Sequence, residues 1–462
     1  MPVMPYRRPP VPPTVALLTA GGEVIDEHGQ RLELDTLDQS TRVWTSYDSA
    51  HRLVHDGVGE ALCWNGEEIR WRHRRFEDGW ERRHSDVAVI RAPFYDDSPE
   101  RTLAALARWR DWLARYGASC TSTTGSAAWS LLRATIVKPL WTGLGDTPPL
   151  RSTLGGRQAL GPAGQGQFRG RLEQWDMPAA YASELGHLRY GGRWFDTKDL
   201  PLQHGPAFWA AQGRPTFVRA IVSVPASLGY GPLPRRPRGR TQAGKVATML
   251  LGAEYPTGRI QGVWTWQEIE AAIAHGCRLI KVLGCWVHLS GEQPFLPWWA
   301  AIQDGRSMPG LAGLLSKMVG NALWGQFCMD GASNGVRTVR SKNGTIRNRE
   351  LPKRGGRPPA HDLAETVSGR IRARLYGAMM GVGDALLSAH TDGIWIHRAY
   401  ATIGPSWRRD QQASRLDLLD PQVLRYFPRG GGSQTVVAGV PLSLAEEWFD
   451  EKWAASGLEA AS

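Results

Sequence analysis

The sequence predicts an α+β protein of several domains, and three observations carry that expectation. The chain has 462 residues. At roughly 100–200 residues per domain, it holds two to four domains or one large multilobed body. A composition 42% hydrophobic and 21% charged supplies a sizeable core and excludes general disorder. Short strand-like runs, Thr14 to Leu18 and Val87 to Ile90, are mixed with helical periodicity rather than ordered in a repeat.

In chain order, the first fourteen residues are rich in Pro around Arg7 and Arg8 and read as a loose arm, not a signal peptide or membrane helix. No later segment reaches about 18 consecutive apolar residues, so a cytoplasmic location with no membrane partner is expected. A cap near Ser98, Glu100 in the first turn and the spacing of Leu103, Leu106, Trp109 and Leu113 predict a helix to Tyr116 that buries this stripe. Residues 235–245 mix Arg and Lys with Gly and Pro and form a basic loop. A helix over Gln267 to His275 precedes Leu279, Ile280, Val282 and Leu283, apolar enough for a core strand. Residues 311–324 read as helix, and 330–358 as a Gly-, Asn- and Arg-rich excursion without useful periodicity. The five cysteines show no zinc spacing and read as buried, reduced thiols. Most of the 21 Trp should simply pack, with base stacking the rarer use.

The net charge of +11 favours an acidic or nucleic-acid partner. It is unevenly spread. Between Asp330 and Arg374 stand eleven basic residues (Arg337, Arg340, Lys342, Arg347, Arg349, Lys353, Arg354, Arg357, Arg370, Arg372, Arg374) against four acidic ones (Asp330, Glu350, Asp362, Glu365). Such a run tracks phosphates or forms a solvated face.

Three distant segments carry chemistry. Arg171 to Asp176 ends where Pro178 would break a strand ladder, which would place the Asp176 side chain at a strand end. Leu386 to His397 places Thr391, Asp392 and Gly393 between two apolar runs, the form of a tight hairpin with Asp392 at its tip. A DG turn most often binds nothing, but carboxylates on neighbouring strands can hold two divalent cations. In Leu314 to Gly325, Lys317 and Asn321 are i and i+4 on one helix face, where Lys317 could meet a triphosphate or simply be solvated.

Taken together, Asp176-Met-Pro-Ala-Ala-Tyr181, Lys317-Met-Val-Gly-Asn321-Ala-Leu-Trp-Gly325 and Thr391-Asp392-Gly393 resemble motifs A, B and C of family B DNA polymerases of the compact phage and protein-primed kind. The resemblance, supported by Leu154-Gly155-Gly156-Arg157 and other pieces from about 154 to 445, implies a right-hand polymerase with palm, fingers and thumb. It implies a flexible arm over 1–14, a reduced exonuclease-like domain over 15–150, palm over 151–300 and 359–405, fingers and basic excursion over 301–358, and thumb over 406–462. Asp176 and Asp392 would be the catalytic, metal-binding carboxylates for Mg2+, or Mn2+ in its place. Lys317 would be catalytic at the triphosphate, with Arg306 a second phosphate contact. Asn321 would line the dNTP pocket, and Tyr181 would exclude a 2'-hydroxyl. Gly155, Gly156, Arg157, Arg370, Arg374, Arg425 and Tyr426 would face DNA. Template and primer DNA and dNTPs are the implied partners, with a priming protein or replication factors as further ones, at a nucleoid or phage replication site.

The chain departs from the family pattern at defined places. His390 stands two positions before Asp392, where an acidic residue is usual; Trp324 replaces the motif B Tyr; Leu424 replaces the primer-contact Lys. The first 150 residues include Asp48, Asp78, Asp86, Asp96 and Asp97 but no DxE, and in Trp64-Asn65-Gly66 the following Glu67 and Glu68 replace a well-placed Asp. The expected function is therefore template-directed DNA synthesis without proofreading. The alternatives are a polymerase-derived nucleic-acid-binding or priming factor with weak or no catalysis, and a two-metal nuclease, which would leave Lys317 and Tyr181 without a role.

Overall fold

The computed structural model describes residues 14–19, 23–32, 41–46, 61–64, 68–71, 88–92, 98–119, 124–136, 148, 150, 157–197, 205–229, 231–235, 253–289, 291–328, 336–340, 346–350, 360–397, 403, 406–421, 423–437 and 442–458. Residues 1–13 of the amino-terminal arm, Gly155, Gly156, all but Arg235 of the basic loop, and the acids Asp48, Asp78, Asp86, Asp96 and Asp97 lie outside the described residues. The chain forms two compact units: Met1–Val137 with Pro297–Pro359, and Lys138–Leu296 with Ala360–Ser462.

Among the described residues, the first unit is built on a nine-stranded sheet. Within it Thr14–Leu18 runs antiparallel to Val24–Asp26 and parallel to Thr41–Ser46, which is itself parallel to Ala88–Ala92. Val15, Ala16, Leu17 and Leu18 are all buried, the near-continuous apolar run expected of a strand covered on both faces. The helix Pro99–Arg115 begins at the Ser98 cap, whose hydroxyl accepts from the Arg101 N–H. It buries Leu103, Leu106, Trp109 and Leu113, with Trp112 added to the stripe. Trp109 meets Trp44 edge to face at 5.4 Å. The same helix fastens the pair Leu296–Arg306 and Gly310–Cys328. The Trp112 indole N–H donates to the Ala301 carbonyl at 3.2 Å, and the Tyr116 hydroxyl donates to Asp304 at 3.1 Å. Gly305 lets the Trp112 ring approach, since a Cβ there would lie 2.6 Å from it.

Residues 330–358 contain order that periodicity does not announce. Val336–Arg340 and Ile346–Glu350 pair as an antiparallel hairpin, joined to the sheet edge through Thr338 opposite Trp64. Backbone hydrogen bonds supply that pairing, so the strands need no apolar alternation.

The second unit holds two sheets. The larger has seven antiparallel strands: β1 (Arg157–Leu160), β2 (Gly166–Asp176), β3 (Leu386–Thr391), β4 (Gly393–His397), β5 (Arg408–Asp420), β6 (Val423–Pro428) and β7 (Gln434–Val437). Their order across the sheet is β7-β6-β5-β2-β4-β3-β1. Leu172, Leu387, Trp395, Leu416, Leu418 and Leu424 form its core. The long helix His361–Val382 packs against β3, β4 and the short helix Ala180–Gly186. The smaller sheet orders Trp194–Asp196, Arg278–His288, Thr216–Val224 and Gly258–Thr265. Against three of its strands packs the helix Trp266–Ala274, started by a capping box in which Thr265 and Glu268 satisfy each other's backbone N–H groups. Cys277 and Cys285 are free and buried there; burial pushes their thiols up to about 11 and about 12.

The core-strand expectation for residues 279–283 is corrected. They open the strand Arg278–His288, but Ile280, Val282 and Leu283 are exposed. Among the described residues, Trp194–Asp196 pairs only with residues 286–288, so the first half of the strand has no described neighbour on that side, and it is further disturbed by register shifts against Thr216–Val224. Among the described residues, no helix is long and apolar enough to cross a membrane.

Where that strand ends, His288 is buried, stacked on Tyr190 at 4.3 Å and edge-on to Trp194. Burial lowers its imidazole to about 4, against the opposing pull of Asp362. The fold favours the neutral ring, so this stability is complete above the unfolded value of 6.5 and is lost as pH falls toward 4. Urea unfolding should therefore show about 2 kcal/mol less stability at pH 5 than at pH 7 from this group, and His288→Phe should remove that component of the slope.

Candidate active site

Asp176 is the last residue of β2, and the ladder stops there because Pro178 has no N–H to give. Asp392 sits between β3 and β4, which pair so closely that His390 is opposite Gly393. The Asp392 N–H donates to the His390 carbonyl at 2.7 Å, closing a γ-turn centred on Thr391, whose φ of 57° lies in the left-handed region. The two turns are tied by the Met177 N–H, which donates to the Asp392 carbonyl at 2.9 Å.

Register does the rest. Gly393 is the direct partner of Asp176 on one side, and Arg408 is its partner on the other. A Cβ at residue 393 would lie 2.6 Å from Asp176 Oδ1. Gln174, Asp176, Ser388, His390, Asp392, Trp395 and Tyr426 line a single cavity of about 240 Å³. The period of two along a strand explains the company: Gln174 accompanies Asp176, and Ser388 accompanies His390 on one face. That period was the available signal for Gln174 and Ser388, which motif reasoning passed over. Partial desolvation in the cavity lining holds the His390 imidazole below its ordinary value against the pull of Asp420, and the residue brings an imidazole rather than a carboxylate to the cavity.

The donors fit a hard divalent cation. Among the described residues, no three His, Cys, Asp or Glu gather at ligand spacing. Asp176 and Asp392, both lining this cavity, are the carboxylates that could hold Mg2+ or Mn2+, whose remaining ligands would come from water and phosphate.

The other expected site residues are distributed as follows. Tyr181 is buried in Ala180–Gly186, just after Ala179 at φ 52°. Lys317 and Asn321 share the exposed side of Gly310–Cys328, and Arg306 closes the preceding helix, half-buried. Tyr426 reaches the cavity, and its hydroxyl donates to Gln434.

Three of the arginines expected to face DNA are turned to the protein. Arg157 is fully buried and donates to the carbonyls of Gly231 and Pro232. Arg370 pairs with Glu184 and donates to the Gly213 carbonyl. Arg425, next to Tyr426 and so on the opposite face of β6, donates to Thr435, Asp450 and the Glu446 carbonyl, fixing the helix Leu442–Ala455 to the sheet. Arg374 also pairs with Glu184 but keeps 41% of its side-chain surface exposed.

No family model matches the chain, and no curated protein does. Solved structures are similar in fold. Phi29 DNA polymerase complexed with primer-template DNA and incoming nucleotide substrates aligns at a TM-score of 0.58 and 12% identity, over 95% of this chain and 94% of that one. Phi29 DNA polymerase complexed with single-stranded DNA aligns at 0.57 and 11% identity, over 94% of each. Its orthorhombic crystal form aligns at 0.54 and 14% identity, over 76% of this chain and 65% of that one. The fold is thus that of a DNA polymerase of the phi29 kind.

Residue 393 offers a direct check on the carboxylate geometry. It does not occupy positive φ, so the backbone conformation accepts alanine; the new methyl would collide with Asp176 Oδ1 at 2.6 Å and press on the Trp175 carbonyl at 3.3 Å. Gly393→Ala should weaken Mn2+ binding about ten-fold or more in an EPR titration, with the melting temperature little changed.

Proposed function

We propose that this chain is a template-directed DNA polymerase that adds dNTPs to a primer 3'-hydroxyl. The observation that carries the reading is the convergence of Asp176 and Asp392 on one cavity of a chain whose fold resembles phi29 DNA polymerase over nearly its full length. In this reading strands β1 to β4 of the seven-stranded sheet belong to the palm, residues 301–358 with the helix Gly310–Cys328 to the fingers, and residues 406–462, which add β5 to β7 to the same sheet, to the thumb.

Asp176 and Asp392 would hold Mg2+ or Mn2+, which when bound lower the pKa of the attacking hydroxyl and offset charge on the departing pyrophosphate. Lys317, an exposed cation on a regular helix, brings a further positive charge to the triphosphate, with Arg306 as its second. Asn321, one turn along from Lys317, contacts the nucleotide. Tyr181, held by burial, sits under the deoxyribose and rejects a 2'-hydroxyl by steric exclusion. Tyr426, on the cavity wall beyond the carboxylates, is suited to the primer end, and Arg374 to a backbone phosphate. Gly155 and Gly156 keep their proposed place beside the template strand.

Proofreading is absent from this proposal. The first strand of the amino-terminal sheet carries buried Val15, Ala16, Leu17 and Leu18, with no carboxylate among them. The parallel set Thr14–Leu18, Thr41–Ser46 and Ala88–Ala92, extended by the antiparallel Val24–Asp26 and Arg31–Leu32, suits a ribonuclease-H-like sheet reduced to a scaffold. The alternative, a nucleic-acid-binding or priming factor without chemistry, predicts the same DNA affinity but no Mg2+-dependent incorporation.

Primer extension on a defined template separates them. The wild type should incorporate dNTPs with Mg2+, and Asp392→Asn should lose at least about 100-fold in rate while still binding DNA. Equal incorporation by both proteins would end the assignment of Asp392.

A further inference from the structure

Behind the carboxylate wall, on the opposite side of the sheet, lies a charged cluster sealed from water. Arg372 is fully buried between Glu268, at 2.8 Å, and Glu365. Arg157 is equally buried, with its guanidinium 3.9 Å from the centre of the Tyr255 ring and 4.9 Å from that of Tyr376. Among the described residues, the cluster sets two cations against two carboxylates. Its members come from β1, the helix Trp266–Ala274, the helix His361–Val382 and the segment before Gly258–Thr265.

Burying a guanidinium carries a desolvation cost of several kcal/mol, and a well-packed apolar residue could often fill the same space as stably. What the charge supplies is direction. Arg157 Nη2 donates to the Gly231 carbonyl at 2.8 Å and Nη1 to the neighbouring Pro232 carbonyl at 3.4 Å. A planar fork bonded to two successive carbonyls, with an aromatic ring against its face, has little freedom to shift.

Position makes that rigidity matter. Arg157 opens β1, and its register partner on β3 is Thr391, the left-handed centre of the γ-turn that presents Asp392. At the other end of β1, the Gly161 N–H donates to the Leu387 carbonyl at 2.7 Å. The strand therefore grips β3 at both ends. A β-branched residue at positive φ is costly and persists only where its surroundings over-determine it.

We propose that Arg157 is a positioning residue for Asp392. It locks β1 in register with β3, and so holds the strained Thr391 turn that aims Asp392 into the cavity with Asp176. The inference rests on the polymerase reading of those two carboxylates, and its consequence is specific: the charge on Arg157 acts on metal affinity and on the chemical step, not on nucleotide binding.

The test uses the full-length protein. Arg157→Met removes the fork at similar volume, and Arg157→Met with Glu365→Gln does so while keeping those cations and carboxylates equal in number. Mn2+ affinity is read by EPR without nucleotide, and kcat and the dNTP KM by primer extension. At least one variant should melt like the wild type yet bind Mn2+ about ten-fold more weakly and lose kcat by a similar factor, with KM within about two-fold. Adding Thr391→Gly, which removes the side-chain penalty at positive φ, should recover most of the lost affinity. Wild-type Mn2+ affinity in a folded variant, an unmoved kcat, or failure of both variants to fold would overturn the inference. A wild-type protein that neither binds Mn2+ nor extends a primer would instead overturn the polymerase reading.

Discussion

The two aspartates can share one cavity because the residue between them in space has no side chain. Gly393 is at once the β-partner of Asp176 and the chain neighbour of Asp392, and a methyl group there would meet Asp176 Oδ1 at 2.6 Å. The hairpin must turn within Thr391 and Asp392, so Thr391 takes a φ of 57°. That turn stores about 1–3 kcal/mol of strain, and the surrounding strands have to hold it. The Met177 N–H on the Asp392 carbonyl and the pairing of β1 with β3 do so from two sides.

The cations of the second unit are divided by burial. Arg157 and Arg372 lie inside it, where their partners are carbonyls, aromatic faces and two carboxylates. Arg370 and Arg425 fasten helices to their neighbours. A positive net charge therefore overstates the surface available for phosphates, since part of it serves to fix the frame. Long-range attraction of a polyanion is left to residues with exposed head groups, such as Arg374 and, in the first unit, Lys317.

Much of this could be read from residue order, for reasons that are local. Pro178 forces the end of β2 and thereby places Asp176 at its last position; Thr391-Asp392-Gly393 between two apolar runs can hardly be other than a hairpin tip. The stripe Leu103, Leu106, Trp109 and Leu113 buries as its spacing requires. What could not be read depends on distant partners. Nothing near Arg157 in sequence shows that Tyr255 and Tyr376 will enclose it, and nothing near Ile280 shows that its side chain is left exposed. The hairpin Val336–Arg340 with Ile346–Glu350 hides its order in a run of arginines because its pairing is made by the backbone. The capping box of Thr265 and Glu268 was legible in principle, as a Thr followed three residues later by Glu.

The central claim is that Asp176 and Asp392 act as one divalent-cation site. Its most direct measurement is anomalous diffraction from crystals grown with Mn2+ and a dNTP. The geometry predicts an Mn2+ peak within about 2.5 Å of a carboxylate oxygen from each aspartate, with a nucleotide phosphate oxygen completing the contact. A peak bound to only one of them, or a peak elsewhere with the cavity holding only water, would contradict it.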